Sequence, residues 1–158
     1  LSAWGEQPTL VGSWVRLRPM TASDAPAVAS AAADGRLWEL FYTLVPAPGD
    51  EQAFVDGALA DKAAGRAMPF IVETAGGRPI GSTRFMRMNA LHRRVEIGTT
   101  FYAKSAQRSG INTEAKLLLL KHAFEVFGCV VVELRTDWFN RPSQRAIERL
   151  GARSAMAC

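Results

Sequence analysis

Cysteine is close to absent from this chain of 158 residues. The two present, Cys129 beside an apolar run and Cys158 at the end, form neither a metal-ligand spacing nor a disulfide framework. Histidine is equally scarce: His92 and His122 lack acidic or cysteine companions, so no metal is expected. No apolar run approaches the roughly 18 residues of a membrane span. The longest, around Leu117 to Leu120 and Val130 to Val132, are far shorter, so no membrane partner is expected. Internal repeats, low-complexity runs and a domain-sized linker are missing, which points to one domain over residues 1–158. The first residues lack the charged-then-apolar pattern of a secretory leader, and the expected setting is a reduced cytoplasm.

With 48% hydrophobic and 22% charged residues, the chain can bury a real core. The net charge of +4 is unevenly placed. Residues 104–121 and 141–153 together hold eight of the 19 Lys and Arg residues but two of the 15 Asp and Glu residues. Either an anionic ligand lies near both segments or both are solvated helix faces.

The order of elements predicts a mixed α/β domain. "WVRLRPM" alternates like a strand, Thr21 to Asp24 supply capping residues for an alanine-rich helix, and "PAPGD" is a loop. Asp50 is placed to cap a second helix running to about Gly65. "MPFIVET" and "PIGSTRFMRM" form a hairpin turning at Gly76 and Gly77, and "RVEIGTTFY" follows as a strand. A helix, the strand "VVVELRT" and a last helix from about Pro142 to Leu150 complete the order.

Between Tyr102 and the helix after it, "YAKSAQRSGINTEAKLLLLKHAFE" sets a glycine, small polar residues and basic side chains before the helix start. That helix places Ala115, Leu118, Leu119, His122, Ala123 and Val126 on one face. Its first amides have no intrahelical acceptor, the helix dipole is positive there, and Gly110 removes a side chain that would block close approach. Such a junction suits phosphate. A Walker-type loop would need lysine and then Ser or Thr after its second glycine, and a dinucleotide fold would need G-x-G-x-x-G; neither is present.

The stretch Gln107-Arg108-Ser109-Gly110-Ile111-Asn112 resembles the acetyl-CoA loop of the GCN5-related N-acetyltransferases, Q/R-x-x-G-x-G/A, in all but its last residue. Asn112 departs from the pattern and is read as a helix cap. "FNRPSQRAIERLGA", Phe139 to Ala152, is similar to the signature after the family's fifth strand, and the pair of motifs most resembles the RimJ/RimL-like branch. The resemblance implies a central, mostly antiparallel sheet flanked by helices. It also implies acetyl-CoA as co-substrate without a metal, and transfer of acetyl to a primary amine of a protein N-terminus or a small molecule by direct attack in a ternary complex. The amides of Gln107, Arg108, Ser109, Gly110, Ile111, Asn112 and Thr113 would hold the pyrophosphate. The pantetheine would lie between the splayed fourth and fifth strands along Phe101 and Tyr102, facing Asn140 and Ser143, with Arg108 and Arg145 at the nucleotide phosphates. A backbone amide near Thr100 to Tyr102 would polarise the thioester carbonyl.

Glu96, on the strand leading into the loop, is the candidate general base; the competing reading is a solvent-facing residue or a partner for Arg94 or Arg84. Ser143 would return a proton to the thiolate, or else merely contact CoA or cap a helix. Asn140 is a helix cap, a ligand contact or both, and Arg145 a phosphate ligand or an exposed helix residue. Trp38, Phe41 and Tyr42 either shape an acceptor pocket or pack in the core, and Cys129 reads as a buried apolar residue. Family members continue for a further hairpin after the glycine of "ERLGA", so this 158-residue sequence reads as truncated at its C-terminus, as completed by another chain, or as a non-catalytic CoA-binding domain. An unpaired "VVVEL" edge leads to the expectation of a homodimer or of aggregation. A nucleic-acid partner is not expected, because no glycine-aromatic RNA motif or groove-reading helix accompanies the basic residues.

Overall fold

Alternating apolar residues in Val15–Pro19 and Arg94–Tyr102 form strands that serve two different cores, one on each face of a single sheet. The computed structural model describes residues 3–155, so Cys158 lies outside the described residues. A short β1 (Leu10–Val11) precedes β2 (Val15–Pro19), α1 (Ala25–Ala33) and α2 (Glu51–Ala63). Then come β3 (Met68–Thr74), β4 (Pro79–Asn89), β5 (Arg94–Tyr102), α3 (Ile111–Lys121), β6 (Val131–Leu134) and α4 (Arg141–Arg149). The six strands lie in chain order in one sheet. All neighbours are antiparallel except β5 and β6, which run parallel because α3 intervenes as a crossover. The mixed α/β architecture expected from the sequence is the one observed.

One face packs Leu17, Phe70, Phe85, Val95 and Ile97 against Ala115 and Leu119 of α3 and against Ala123 in the turn that follows it. The other packs Met20, Ile71 and Phe101 against Val28 and Ala31 of α1 and Val55 and Ala58 of α2. Complete burial of residues the size of Phe70 and Phe85 contributes roughly 1.5–3 kcal/mol each. At the far end of the sheet, Arg18 donates to both oxygens of Asp24 (2.7 and 2.9 Å) and to Glu73 (2.6 Å), while Arg16 also reaches Glu73. Burial works against ionising Asp24 and Glu73, but Arg18, helped by Thr21 N–H at Asp24 and by Arg16 at Glu73, holds both carboxyls below their usual range.

Three local expectations are corrected. Asp24 and Asp50 stand at the N-cap positions of α1 and α2 but make no capping bond; the Asp24 carboxylate is taken up by Arg18 and by the N–H of Thr21. Gly110, not Asn112, occupies the N-cap position of α3, and Asn112 lies within the first turn. The helix after the junction also widens at His122 to Val126, where Phe127 N–H reaches back to His122 O at 3.1 Å. That turn admits an extra residue and rotates the stripe, so Phe127 is buried and Val126 is half exposed.

Candidate functional site

The parallel pair β5 and β6 stays in register only from Arg94 opposite Val131 to Ile97 opposite Leu134. Beyond that point β5 continues to Tyr102 while β6 ends, so the strands part. Against β4, Arg84 faces Gly98 and Ser82 faces Phe101, which leaves one extra residue in β5. Thr99 marks this bulge with a left-handed φ of 48°, which a residue other than glycine seldom adopts. The opening leads into a cleft of about 1440 Å³. Its walls come from β5, the loop before α3, the start of α3, the segment after β6, α4, and the stretch around Leu37 to Val45.

Glu96 lies on the α1/α2 face, opposite Val95 and Ile97, and is buried although it lines the cleft. Arg135 and Arg87 bring Nε atoms to 3.2 and 3.4 Å from its Oε2. Neither N–H is aligned as a hydrogen bond, so these contacts orient the carboxylate by charge and leave Oε2 without a donor. The expected partners are corrected: Arg94 pairs with Glu133 across the parallel strands, and Arg84 lies over the Phe54 ring at 5.2 Å. Arg87 reaches Glu96 because β4 also bulges there, with Arg87 at φ 49°.

The loop from Gln107 is folded upon itself. Gln107 Nε2 donates to Tyr102 O (2.9 Å), Ser109 Oγ donates to Ala106 O (2.6 Å), and Arg108 turns the chain at φ 56°. Glu114 N–H meets Gly110 O at 2.9 Å; the amides of Asn112 and Thr113 before it have no acceptor within the helix. Gln107, Arg108, Ser109, Asn112 and Thr113 line the cleft, whereas Gly110 and Ile111 do not. Gly110 also answers to a neighbour within the protein: a Cβ there would stand 2.6 Å from Cζ3 of Trp14. The close approach is made by a tryptophan of the protein itself.

Across the opening, Asn140 Oδ1 accepts from Ser143 N–H at 3.2 Å, capping α4, and Asn140, Ser143 and Arg145 all line the cleft. Tyr102 also lines it, with a buried hydroxyl that lacks a partner. Phe101 lines it too, although its ring packs against Phe54 in the α1/α2 core. Tyr42 lines the same cleft; Trp38 packs on that core, and exposed Phe41 meets Phe139 edge-on at 5.9 Å. His122 is enclosed by Phe85 and Phe127, His92 lies in the turn before β5, and Cys129 is buried with its thiol pushed up by burial.

Sequence reasoning missed Lys116. It is 8% exposed, lines the cleft, and donates from Nζ to Thr100 Oγ1 at 3.3 Å. Its position three residues before Leu119, on the flank of the α3 stripe, was the available signal. Trp14, Arg87, Glu114 and Arg135 were missed for a plainer reason: each acts across a distance in the chain that no local pattern encodes.

Among the described residues, no helix is long and apolar enough to cross a membrane. No curated protein sequence matches the chain. Solved structures do resemble it. A GCN5-related N-acetyltransferase from Brucella melitensis is 28% identical with a TM-score of 0.75, covering 92% of this chain and 67% of the other. The Mycobacterium smegmatis RimJ in complex with CoA-disulfide shares the fold at 24% identity and TM-score 0.75, over 93% of this chain and 76% of that one. A Salmonella typhimurium acetyl transferase that modifies the N-terminal serine of a 50S ribosomal subunit protein does so at 18% identity and TM-score 0.76, over 90% and 83%. The family model of the acetyltransferase (GNAT) domain matches residues 15–153, and the chain therefore belongs to that family of acetyl-CoA-dependent N-acetyltransferases.

Proposed function

We propose that acetyl-CoA lies in the opening between β5 and β6 and that its acetyl group passes directly to a primary amine held on the α1/α2 side. The parting of the two strands after Ile97 and Leu134 carries this reading, because it frees one backbone edge of β5 beside a charged loop. The unpaired edge near Phe101 and Tyr102 takes the pantetheine like an added strand. The pyrophosphate rests on the free amides between Gln107 and Thr113, and Arg108 and Arg145 meet the nucleotide phosphates from opposite walls. The donor set fits such an anion: within this stretch the Gln107 and Ile111 amides are taken by Lys104 O and Ser109 Oγ, the amides of Arg108, Ser109, Gly110, Asn112 and Thr113 have no acceptor among the described residues, and the two cations have no carboxylate at salt-bridge distance there.

The acceptor amine must lose a proton to attack, and Glu96 takes it directly or through a water. An N–H of the bulged strand between Thr100 and Tyr102 polarises the thioester carbonyl as the tetrahedral centre forms. Ser143, free at its hydroxyl while its N–H is held by Asn140, offers a hydrogen bond to the far end of the thioester. The fold shared with the RimJ protein and the serine-modifying transferase supports a protein N-terminus as acceptor, and the apolar stretch of Leu37, Leu40, Tyr42 and Leu44 on the cleft wall equally admits a small amine.

Calorimetric titration with acetyl-CoA, followed by free-thiol release in the presence of N-terminal peptides and small amines, tests the reading. Saturable binding with release for one acceptor class is the expected result. Failure to bind acetyl-CoA would sink it.

A further inference from the structure

Lys116 is a cation enclosed by protein with most of its valence unused. An ammonium offers three donors, and the one contact Nζ makes is to Thr100 Oγ1 at 3.3 Å. That hydroxyl is already shared with Thr83 Oγ1 at 2.7 Å. Among the described residues no carboxylate lies within salt-bridge distance of Nζ. Burying an unpaired charge is costly, and a lysine in this position is explained best by a negative charge that arrives with the ligand.

The side of the sheet from which Lys116 reaches the cleft narrows the choice. Asn112, Thr113 and Lys116 follow one face of α3, so Lys116 lies about one turn deeper than the amides that take phosphate. Its partner Thr100 adjoins the bulge at Thr99, where β5 and β6 have parted. Thr100 and Thr83 lie on the α3 face with Phe85 and Ile97, whereas Glu96 lies on the α1/α2 face. A base and an ammonium thus approach the same opening from opposite sides of the sheet. In the tetrahedral centre the attacking nitrogen and the departing sulfur occupy different corners of the same carbon, so a base and an ammonium on different walls can serve them separately.

We propose, resting on the acetyl-CoA reading above, that Lys116 is the catalytic residue that receives the leaving thiolate of CoA and returns a proton to it. The amine, its ammonium proton having passed by way of Glu96 to water, bonds through nitrogen to the carbonyl carbon and gives its second proton to Glu96, which releases it to solvent as product departs. The carbon–sulfur bond breaks with its electron pair going to sulfur, and Nζ–H delivers a proton there to yield the CoA thiol. Lys116, left neutral, regains a proton from solvent as product departs. Desolvation has already pushed Lys116 down to about 8, close to the value of an ordinary thiol, so the transfer is nearly balanced. A serine hydroxyl such as that of Ser143 is a far weaker acid than a thiol and can only donate a hydrogen bond. Tyr102, the other titratable group of β5 on this face, is raised by burial and holds its proton more firmly still.

Other charged groups border the cleft and enter any pH profile. Its carboxylates are Glu96, Asp137 and Glu148. Its cations besides Lys116 are Arg87, Arg108, Arg135, Arg145 and Arg149. A readout fixed on the sulfur is therefore needed.

The test is the pH titration of the thiol of CoA bound to the wild-type chain, followed by thiolate ultraviolet absorbance, with binding monitored by calorimetry. The bound thiol is expected to ionise at lower pH than free CoA. Lys116→Met should abolish the shift while leaving affinity for acetyl-CoA within about threefold, and kcat should fall by about 10²–10⁴-fold. Lys116→Arg, which keeps the charge but cannot give up the proton, should retain the thiol shift and still lose turnover. Binding of CoA to the wild type with an unshifted thiol overturns the assignment of Lys116 alone, as does full turnover by Lys116→Met. Absence of CoA binding overturns the acetyl-CoA reading and this proposal with it. The wild-type titration decides the matter even if a variant fails to fold.

Discussion

The carboxylate of Glu114, in the first turn of α3, accepts the backbone N–H of Trp14 at 2.8 Å across 100 residues of sequence. It also accepts from Ser13 at 2.7 Å and Val15 at 2.9 Å, so the turn between β1 and β2 is fastened to the start of α3. Burial raises the Glu114 pKa, but the N–H groups of Trp14, Ser13 and Val15 outweigh it and hold the carboxyl below its ordinary value of 4.5. Because the folded-state pKa is depressed, this contribution is present above the ordinary glutamate range and is lost as pH falls through the folded value. Glu114→Gln sets an amide N–H against backbone donors and is expected to cost about 1–3 kcal/mol near neutral pH. The difference from wild type should shrink in acid, as urea unfolding across a pH series will show.

Gly110 is required by Trp14, and this too can be tested. Gly110→Ala should destabilise by about 1–3 kcal/mol through crowding against the indole. Trp14→Leu in the same chain should recover most of the loss in thermal unfolding. If Gly110→Ala instead leaves stability intact and removes acetyl-CoA binding, the glycine serves the ligand.

Glu96→Gln keeps the shape of the side chain and removes its capacity as a base. Affinity for acetyl-CoA is expected to be unchanged in calorimetry, while kcat falls by about 10²–10⁴-fold. A rate restored by raising pH, where the acceptor amine is already neutral, would support the role. An unchanged rate at neutral pH would reassign Glu96 as a partner of Arg87 and Arg135.

Lys116 also affects the stability of the ligand-free protein. Its pKa is about 8 when folded against an ordinary 10.5, so between these values the unfolded chain binds more protons than the folded one. Stability then rises with pH through that window, and the full penalty persists below it. Lys116→Met should therefore stabilise the apo chain below pH 8, by an amount on the order of 1–3 kcal/mol, and the advantage should vanish above the window. Denaturant midpoints of both proteins at several pH values measure this directly.

Much of the fold could be read locally. The hairpin at Gly76 and Gly77, the strand Arg94–Tyr102 and the last helix lie within a residue or two of expectation, because alternation, glycine and capping signals act over a few neighbours. The two-residue β1 gave no such signal. Among the site residues, Glu96, Asn140, Ser143, Arg108 and Arg145 do border one cleft, while the crowding of Gly110 by Trp14 was not legible because the two stand 96 residues apart. The parting of β5 from β6 was legible only through resemblance. Lys116 was passed over because a lysine at the edge of an apolar stripe normally reaches outward to solvent, and only the packing of α3 beneath β5 turns it inward.

The single extra residue at Thr99 has a wider effect than widening a gap. Glu96 and Phe101 are an odd number of positions apart, and in an unbroken strand their side chains would lie on opposite faces. With one residue looped out they share the α1/α2 face, while Thr100 and Tyr102 turn toward α3. The strand thus changes phase at the place where it loses its parallel neighbour. Its first half can present an acid to one compartment while its second half anchors an aromatic ring in that same compartment and a hydroxyl in the other. Shortening β5 by that residue would leave composition and hydropathy almost untouched, yet it would exchange the inward and outward halves of everything from Thr100 to the loop.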